Sequence, residues 1–396
     1  MKMLRQIGSV TAMNLRSLRQ RASTSLVIVI GIAGVVAVLI SVLAMSTGMI
    51  KTMNNAGRDD RAIVLRNGSA SDASSVLARD AVRLITEGAA VKRDGEGKPI
   101  ASPESMRRVT LFKKDDGAEV NVLLRGVGTQ FERVRPELKI IEGRMFAPAV
   151  NEVIVGKSAN AQFKGLNVGD QITTRGAVWK VVGIFSSGGD VHESEMMADV
   201  ETVNSAERRG GFQSVVVLLE SPGAFAQFKD SLTSNPALAV DVHRERDYYK
   251  QQSKTISRII FYIAYVVGGI MAVGAVFGAL NTMYSAVSAR VREIATLRAL
   301  GFGSTAMVLS VLVEALLLAL IGGAVGALIA WLFFNGHVVS TSGGGGAATQ
   351  LVFELTVSPQ LVATGIIWAC LIGLIGGLFP AIRAARLPVA EALRAV

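Results

Sequence analysis

The chain has 396 residues but one cysteine, three histidines, nine prolines and charge on only 18% of its positions. Each shortage removes a class of chemistry. A single thiol, Cys370, can close no internal disulfide and build no thiolate metal site. His192, His243 and His337 stand far apart without ligand-like neighbours, which argues against an imidazole metal centre. Neither G-x-S-x-G nor H-E-x-x-H occurs. The nearest approach to a phosphate-binding loop, "NEVIVGKSAN", offers Gly156, Lys157 and Ser158 but has Asn151 where the first glycine is required. No catalytic residue, bound cofactor or metal is therefore expected in this chain.

What is abundant is apolar surface, with 50% hydrophobic residues and 41 glycines. Four windows, at 26–45, 259–284, 307–334 and 361–381, are apolar and almost free of charge. About 20 helical residues cross a hydrocarbon layer of ~30 Å, so each window predicts a transmembrane helix. The first exceeds the ~7 to 15 apolar residues of a signal peptide and lacks a clear Ala-x-Ala site, so it reads as a retained anchor.

Charge orients these spans. The opening segment carries Lys2, Arg5, Arg16, Arg19 and Arg21 without an acid. The loop after the second window carries Arg290, Arg292 and Arg298 against Glu293, and the C-terminal segment Arg383, Arg386 and Arg394 against Glu391. The hairpin at 334–359 has neither lysine nor arginine. Cytoplasmic loops are the basic ones, so both termini and the Arg292 loop are expected inside and the hairpin outside. The net charge of +10 is then mostly a topology signal, and nucleic acid is not expected as a partner. Leu4, Ile7, Leu15 and Leu18, interleaved with arginines, suit either an interfacial helix against membrane lipid headgroups or a plain charged flank.

Between the first two windows the charge is nearly balanced. Strand-like runs, "RAIVLR", "RVTLFK", "EVNVLLR", "EVIVG", "VWKVVGIF" and "SVVVLLE", mix with helical patterns near 72–86, 158–163 and 222–232, where Ser221 suits an N-cap before Pro222. The fold class expected is a membrane α-helical bundle of four transmembrane helices with an inserted α+β extracytoplasmic domain. Its parts are 1–50 (interfacial segment and first span), 51–250 (outer domain) and 251–396 (stalk helix, three spans, a cytoplasmic helix at about 288–301 and the tail). "RERDYYKQQSKTISRIIFYIAY" runs into the second span without proline or glycine and predicts a continuous stalk. Gly268, Gly269, Gly274, Gly278, Gly322, Gly323 and Gly326 are candidate close contacts between helices. The hairpin's "STSGGGGAATQ" reads as a flexible linker. Glu193, Glu195, Asp199 and Glu201 in and around "GGDVHESEMMAD" read as a solvated loop.

Two features sit where charge is costly. Glu314 lies about ten residues into the third span, where a carboxylate at the bilayer centre costs ~2.5 to 3.5 kcal/mol, so it must face a helix, backbone or water. "REIATLRALGFG" lies between two apolar blocks. There Val287, Val291 and Ile294 share a helical face, Arg292 and Glu293 point away, and Gly301 and Gly303 follow, which predicts a short helix docked under the bundle and presenting side chains to the cytoplasm.

"SARVREIATLRALGFG", Glu314 within "LVEALLLALIGGAVGALIAW", and "GGLFPAIRAARLPVAEALR" together resemble the membrane region of MacB/FtsX-like permeases of ATP-binding-cassette systems. "IIEGRMFAPAVNEVIVGKSANAQF", "VGDQI" and "VWKVVGIF" resemble the periplasmic core domain that family inserts after its first span. The resemblance implies a coupling helix whose Arg290, Arg292, Glu293, Ile294, Leu297, Arg298, Leu300 and Gly301 bind a separate ATPase subunit, with Ile294, Leu297 and Leu300 in its groove. It also implies two ATPase copies holding ATP and Mg, a second permease copy (the same chain or a related one), a periplasmic adaptor or outer-membrane partner, and location in the bacterial inner membrane. Motion would pass along the stalk without a transmembrane tunnel. Family members export drugs or peptides, extract lipoproteins, or regulate cell-wall hydrolases. Export or extrusion is favoured here by the size of the outer domain, and a membrane sensor or scaffold is the rival from another class. Ala289 departs from the Glu-Arg pair common in the family at 289–290.

Overall fold

The computed structural model describes residues 22–174, 177–206, 208, 210–342 and 349–386. The basic segment 1–21, the linker residues 343–348 and the stretch 387–396 with Glu391 and Arg394 lie outside the described residues.

The helices are α1 (Ala22–Asn55), α2 (Arg79–Thr86), α3 (Phe131–Val134), α4 (Lys157–Gln162) and α5 (Val200–Ala206). They continue with α6 (Phe225–Thr233), α7 (Glu245–Ser288), α8 (Val291–Ala299), α9 (Ser304–Phe334) and α10 (Pro359–Arg386). The strands are β1 (Arg61–Arg66), β2 (Ala101–Phe112), β3 (Glu119–Val127), β4 (Lys139–Gly143), β5 (Glu152–Gly156) and β6 (Gln171–Thr174). After them come β7 (Ala177–Ser186), β8 (Met196–Asp199), β9 (Ser214–Leu218), β10 (Val240–Arg244), β11 (Val338–Ser342) and β12 (Gln350–Glu354). Two compact units result: a membrane unit (through Thr47, Ile259–His337 and from Thr356) and an inserted unit (Gly48–Arg258 with Val338–Leu355).

Among the described residues four helices, α1, α7, α9 and α10, are long and apolar enough to cross a membrane. In lipid no hydrophobic force separates helix from solvent, so small residues that let backbones approach decide the packing. A Cβ on Gly326 would lie 2.5 Å from the Ala33 carbonyl oxygen of α1, and one on Gly323 would lie 2.8 Å from the Ala369 Cβ of α10. Gly322 meets Val29 and Ile32, while Gly373 and Gly377 meet Ala319 and Ala315. Gly268 touches Leu39, but Gly269, Gly274 and Gly278 face open space within this chain, so of the contacts expected within one copy or between two, those three make none within one copy.

The inserted unit is a ten-stranded mixed sheet in the order β10-β1-β9-β2-β3-β8-β5-β7-β4, with β6 on β7. Pairs β3/β8 and β5/β7 are parallel and the rest antiparallel. One core gathers Val64, Val82, Ile85, Val217 and Phe228, placing α2 and α6 on one half of the sheet. A second gathers Leu111, Val122, Val155, Phe163 and Trp179 with α4. Ser221 takes the N-cap position before Pro222 but makes no side-chain capping bond.

The segment read as a plain linker is partly structured. Its flanks pair as β11 and β12, and Val352 enters the second core. Ser194 Oγ donates to the Val352 carbonyl at 3.1 Å and accepts from its N–H at 2.9 Å. The hairpin thus belongs to the inserted unit.

If the α1/α9 contact is as close as described, Gly326→Leu should overpack it and cost about 1–3 kcal/mol. The expected result is a lowered unfolding midpoint in detergent for Gly326→Leu and an unchanged one for Gly34→Leu, whose surroundings are open.

Candidate functional site

Helix α7 stops at Ser288, and the backbone turns through Arg290, whose φ of −108° leaves the helical range, before α8 begins. Glu293 in the first turn and Arg298 in the last both suit the helix dipole. The C-terminus closes as a Schellman motif: Phe302 N–H donates to the Leu297 carbonyl, Gly301 N–H donates to that of Arg298, and Gly301 has φ +91°. A side chain at Gly301 would be strained, so this stop is written into the sequence.

Arg292, Glu293 and Leu300 are exposed, Leu300 to 72%, whereas Leu297 and Arg298 are half-buried. Ile294 is only 7% exposed and packs with Met307 and Val311. The expectation that Ile294 fills a partner's groove is therefore corrected: it fills its own bundle. Arg290 also turns inward.

Arg290 and Glu314 form a bidentate pair, Nη1 to Oε2 at 3.1 Å and Nη2 to Oε1 at 2.9 Å, with side chains 6% and 7% exposed. Two parallel charge-assisted bonds fix both angle and distance. The partner that Glu314 requires thus lies 24 residues back along the chain. Met283, Val287, Met307 and Val311 line the cleft beside the pair, which encloses about 20 Å³. That is room for one water, too little for a cargo.

The inserted unit holds a longer chain of alternating charges. Arg61 Nη1 donates to Glu137 at 2.5 Å, and its Nε lies 2.5 Å from Glu245 Oε2. Arg135 joins Glu245 at 2.6 Å to Glu104 at 3.3 Å. Arg125 joins Glu104 at 2.8 Å to Glu195, which it grips at 2.6 and 2.7 Å. His192 Nδ1 stands 3.4 Å from the same Glu195 carboxylate. Sequence reasoning missed this network because its members come from β1, β2, β3, α7 and the loops between.

It also overturns the solvated-loop reading. Glu193, Glu195 and Asp199 are buried, and only Glu201 is exposed, paired with Arg79 at 2.6 Å. Glu193 accepts from Ser158 Oγ, Ser186 Oγ, Ser187 N–H and Gly189 N–H. A protein carboxylate thus occupies the place beside Ser158 that a phosphate would need, so the Gly156–Lys157–Ser158 stretch does not fit a nucleotide.

Burial pushes the Glu195 carboxyl up, but the charge and hydrogen bonds of Arg125, helped by His192, outweigh it and hold it at about 2 instead of 4.5. The pair therefore stabilises the fold above pH ~4.5, and its contribution is lost as the pH falls toward ~2. Arg125→Met strands a buried carboxylate and should cost about 3–5 kcal/mol at neutral pH. Followed by near-ultraviolet circular dichroism of the folded chain, the deficit against wild type should narrow as acid protonates Glu195. A deficit that stays constant with pH would contradict the pairing.

A membrane bundle interrupted by one folded domain, with a short amphipathic helix between its second and third spans, is the architecture of the permease subunit of a transport system. Residues 22–235 match the MacB-like periplasmic core domain and residues 265–389 the FtsX-like permease C-terminal region. The chain belongs to the MacB/FtsX-like permeases of ATP-binding-cassette transporters.

It is 25% identical over 323 residues to the uncharacterized ABC transporter permease YknZ of Bacillus subtilis, covering 76% of each chain. It is 25% identical over 401 residues to the macrolide export ATP-binding/permease protein MacB 1 of Aeromonas hydrophila, covering 92% of this chain and 57% of that one. The chain thus spans a little over half of that MacB relative. Among solved structures, the periplasmic region of MacB from Actinobacillus actinomycetemcomitans aligns with 54% of this chain and 97% of its own, at 16% identity and a TM-score of 0.36.

Proposed function

We propose that this permease is worked mechanically: a partner ATPase, present in two copies and binding ATP and Mg, engages α8 and drives the outer domain through α7. The observation that carries this reading is α8 itself, a helix anchored inward by Arg290 and Ile294 while Arg292, Glu293 and Leu300 face out. Those three, with half-buried Leu297 and Arg298, form the docking face, and Gly301 sets its end. Arg290 and Ile294 position that face from behind.

The basic segments around 1–21, 290–298 and 383–394 support an inner-membrane orientation with both termini cytoplasmic and the inserted domain periplasmic. Gly274 and Gly278, an i, i+4 pair on one open face of α7, support a second permease copy packed there. The relatives named for macrolide export support export, or extrusion of a comparable amphipathic cargo, with a periplasmic adaptor or outer-membrane partner receiving it.

Leu300→Asp and Glu293→Lys change exposed atoms, so membrane insertion and melting should match wild type. Each should weaken ATPase binding about tenfold, equivalent to ~1.4 kcal/mol, measured by titrating the purified ATPase against the permease in nanodiscs. Wild-type affinity in both variants would overturn this assignment. Ile294→Asp is expected instead to unfold the membrane unit, because it puts a carboxylate into the core.

A further inference from the structure

We propose that α7 is fastened at each end by a buried ion-pair joint, Glu245 to Arg61 and Arg135 outside and Arg290 to Glu314 inside. These joints, rather than side contacts along the span, carry its displacement. The proposal rests on the mechanical reading above and assigns it positioning residues.

The middle of α7 is weakly held by its own bundle. Its apolar window is 17% buried, against 44%, 44% and 39% for those of α1, α9 and α10. Tyr262, Val266, Ile270, Val273 and Phe277 all face outward. Its inner side meets the bundle through small or apolar groups, Ala279 against Gly376, Gly268 against Leu39 and Tyr265 stacked on Trp368. Apolar contacts of this kind can slide, so they transmit a displacement less firmly than a charged bond.

The ends are different. Glu245, the first residue of α7, is fully buried, with Arg135 Nη1 2.6 Å from one carboxylate oxygen and Arg61 Nε 2.5 Å from the other. Arg61 belongs to β1, and Arg135 leads on to Glu104 of β2 and thence to Arg125 of β3. The root of the helix is thereby tied to three strands of the sheet. At the other end the chain leaves α7 at Ser288, and two residues later Arg290 is clamped on Glu314 of α9 while opening α8.

Such pairs suit a joint for a physical reason. The inner pair is bidentate, while Glu245 takes one hydrogen bond from Arg135 and an ionic contact from Arg61. Stretching such a charge-assisted bond past about 3.5 Å abolishes it, and in a low-dielectric site no water replaces the lost partner. The pairs therefore resist sliding and rotation in a way packed methyl groups do not. Their stabilising value alone does not account for them, since apolar replacements of buried ion pairs are often as stable.

The test uses the full complex with its ATPase in nanodiscs, in a Cys370→Ser background, with spin labels at exposed Thr255→Cys on α7 or exposed Gln171→Cys on β6. Distances between the two permease copies are measured with and without vanadate-trapped nucleotide. In the wild type both labels should shift. With Glu245→Gln, a neutral isostere, the Thr255 label should still shift while the Gln171 label loses most of its movement.

With Arg290→Gln, or with Glu314→Gln should that variant not fold, both shifts should vanish although ATP hydrolysis continues. The exchange of Arg290→Glu with Glu314→Arg should restore them. A cooperative unfolding transition that stays above the assay temperature separates a lost joint from an unfolded chain. Wild-type shifts in the single variants would overturn the joints and leave the mechanical reading standing. Hydrolysis with no shift of either label in the wild type would overturn both.

Discussion

A guanidinium cannot shed its proton to suit a dry environment, so an arginine buried in this fold needs acceptor oxygens, and Arg61, Arg125, Arg135 and Arg290 each draw a carboxylate from elsewhere in the chain. That constraint operates in both units. Arg61, Arg125 and Arg135 are buried in the inserted unit, and Glu245, Glu104 and Glu195 stand between and beside them. Arg290 is buried beneath the membrane helices, and Glu314 meets it. Each carboxylate belongs to a different element from its arginine, so satisfying the charge also fixes how those elements lie within their unit.

The apolar part of the structure obeys a looser rule. In the membrane unit glycines of α9 and α10 meet α1 and each other so closely that one added methyl would collide with backbone of α1 or with a facing side chain. Those three helices form a dense block. Helix α7 shares little of that density, which is what a component expected to move requires. The contrast joins packing to function: the block provides a reference frame, and the helix that passes from unit to unit is held where its charges are.

Much of this architecture was legible in the residues. The four apolar windows became α1, α7, α9 and α10; "RAIVLR", "EVIVG" and "VWKVVGIF" became strands; and the proline-free entry to the second span became one unbroken helix. The short helix at Val291–Ala299 followed from its spacing and its terminal glycine. Strands β8 and β10 were not legible, because Asp199 and His243 interrupt the β-branched pattern while tertiary contacts bury their neighbours. The start of β2 was hidden by Pro103 and Glu104, residues a strand seldom tolerates without a specific partner such as Arg125.

By itself, then, the sequence determined what depends on local periodicity and composition: spans, most strands, the short helix α8 and the stop after it. Tertiary structure decided what depends on a partner far along the chain. It turned Glu195 from a loop residue into the grip of Arg125, turned Ile294 and Arg290 inward from a supposed docking face, and folded the flanks of a glycine linker onto a core. The physical reason is the same throughout. Hydropathy is a property of a segment, but whether a charge can be buried is a property of a pair, and pairs such as Arg290 and Glu314 exist only once the chain has folded.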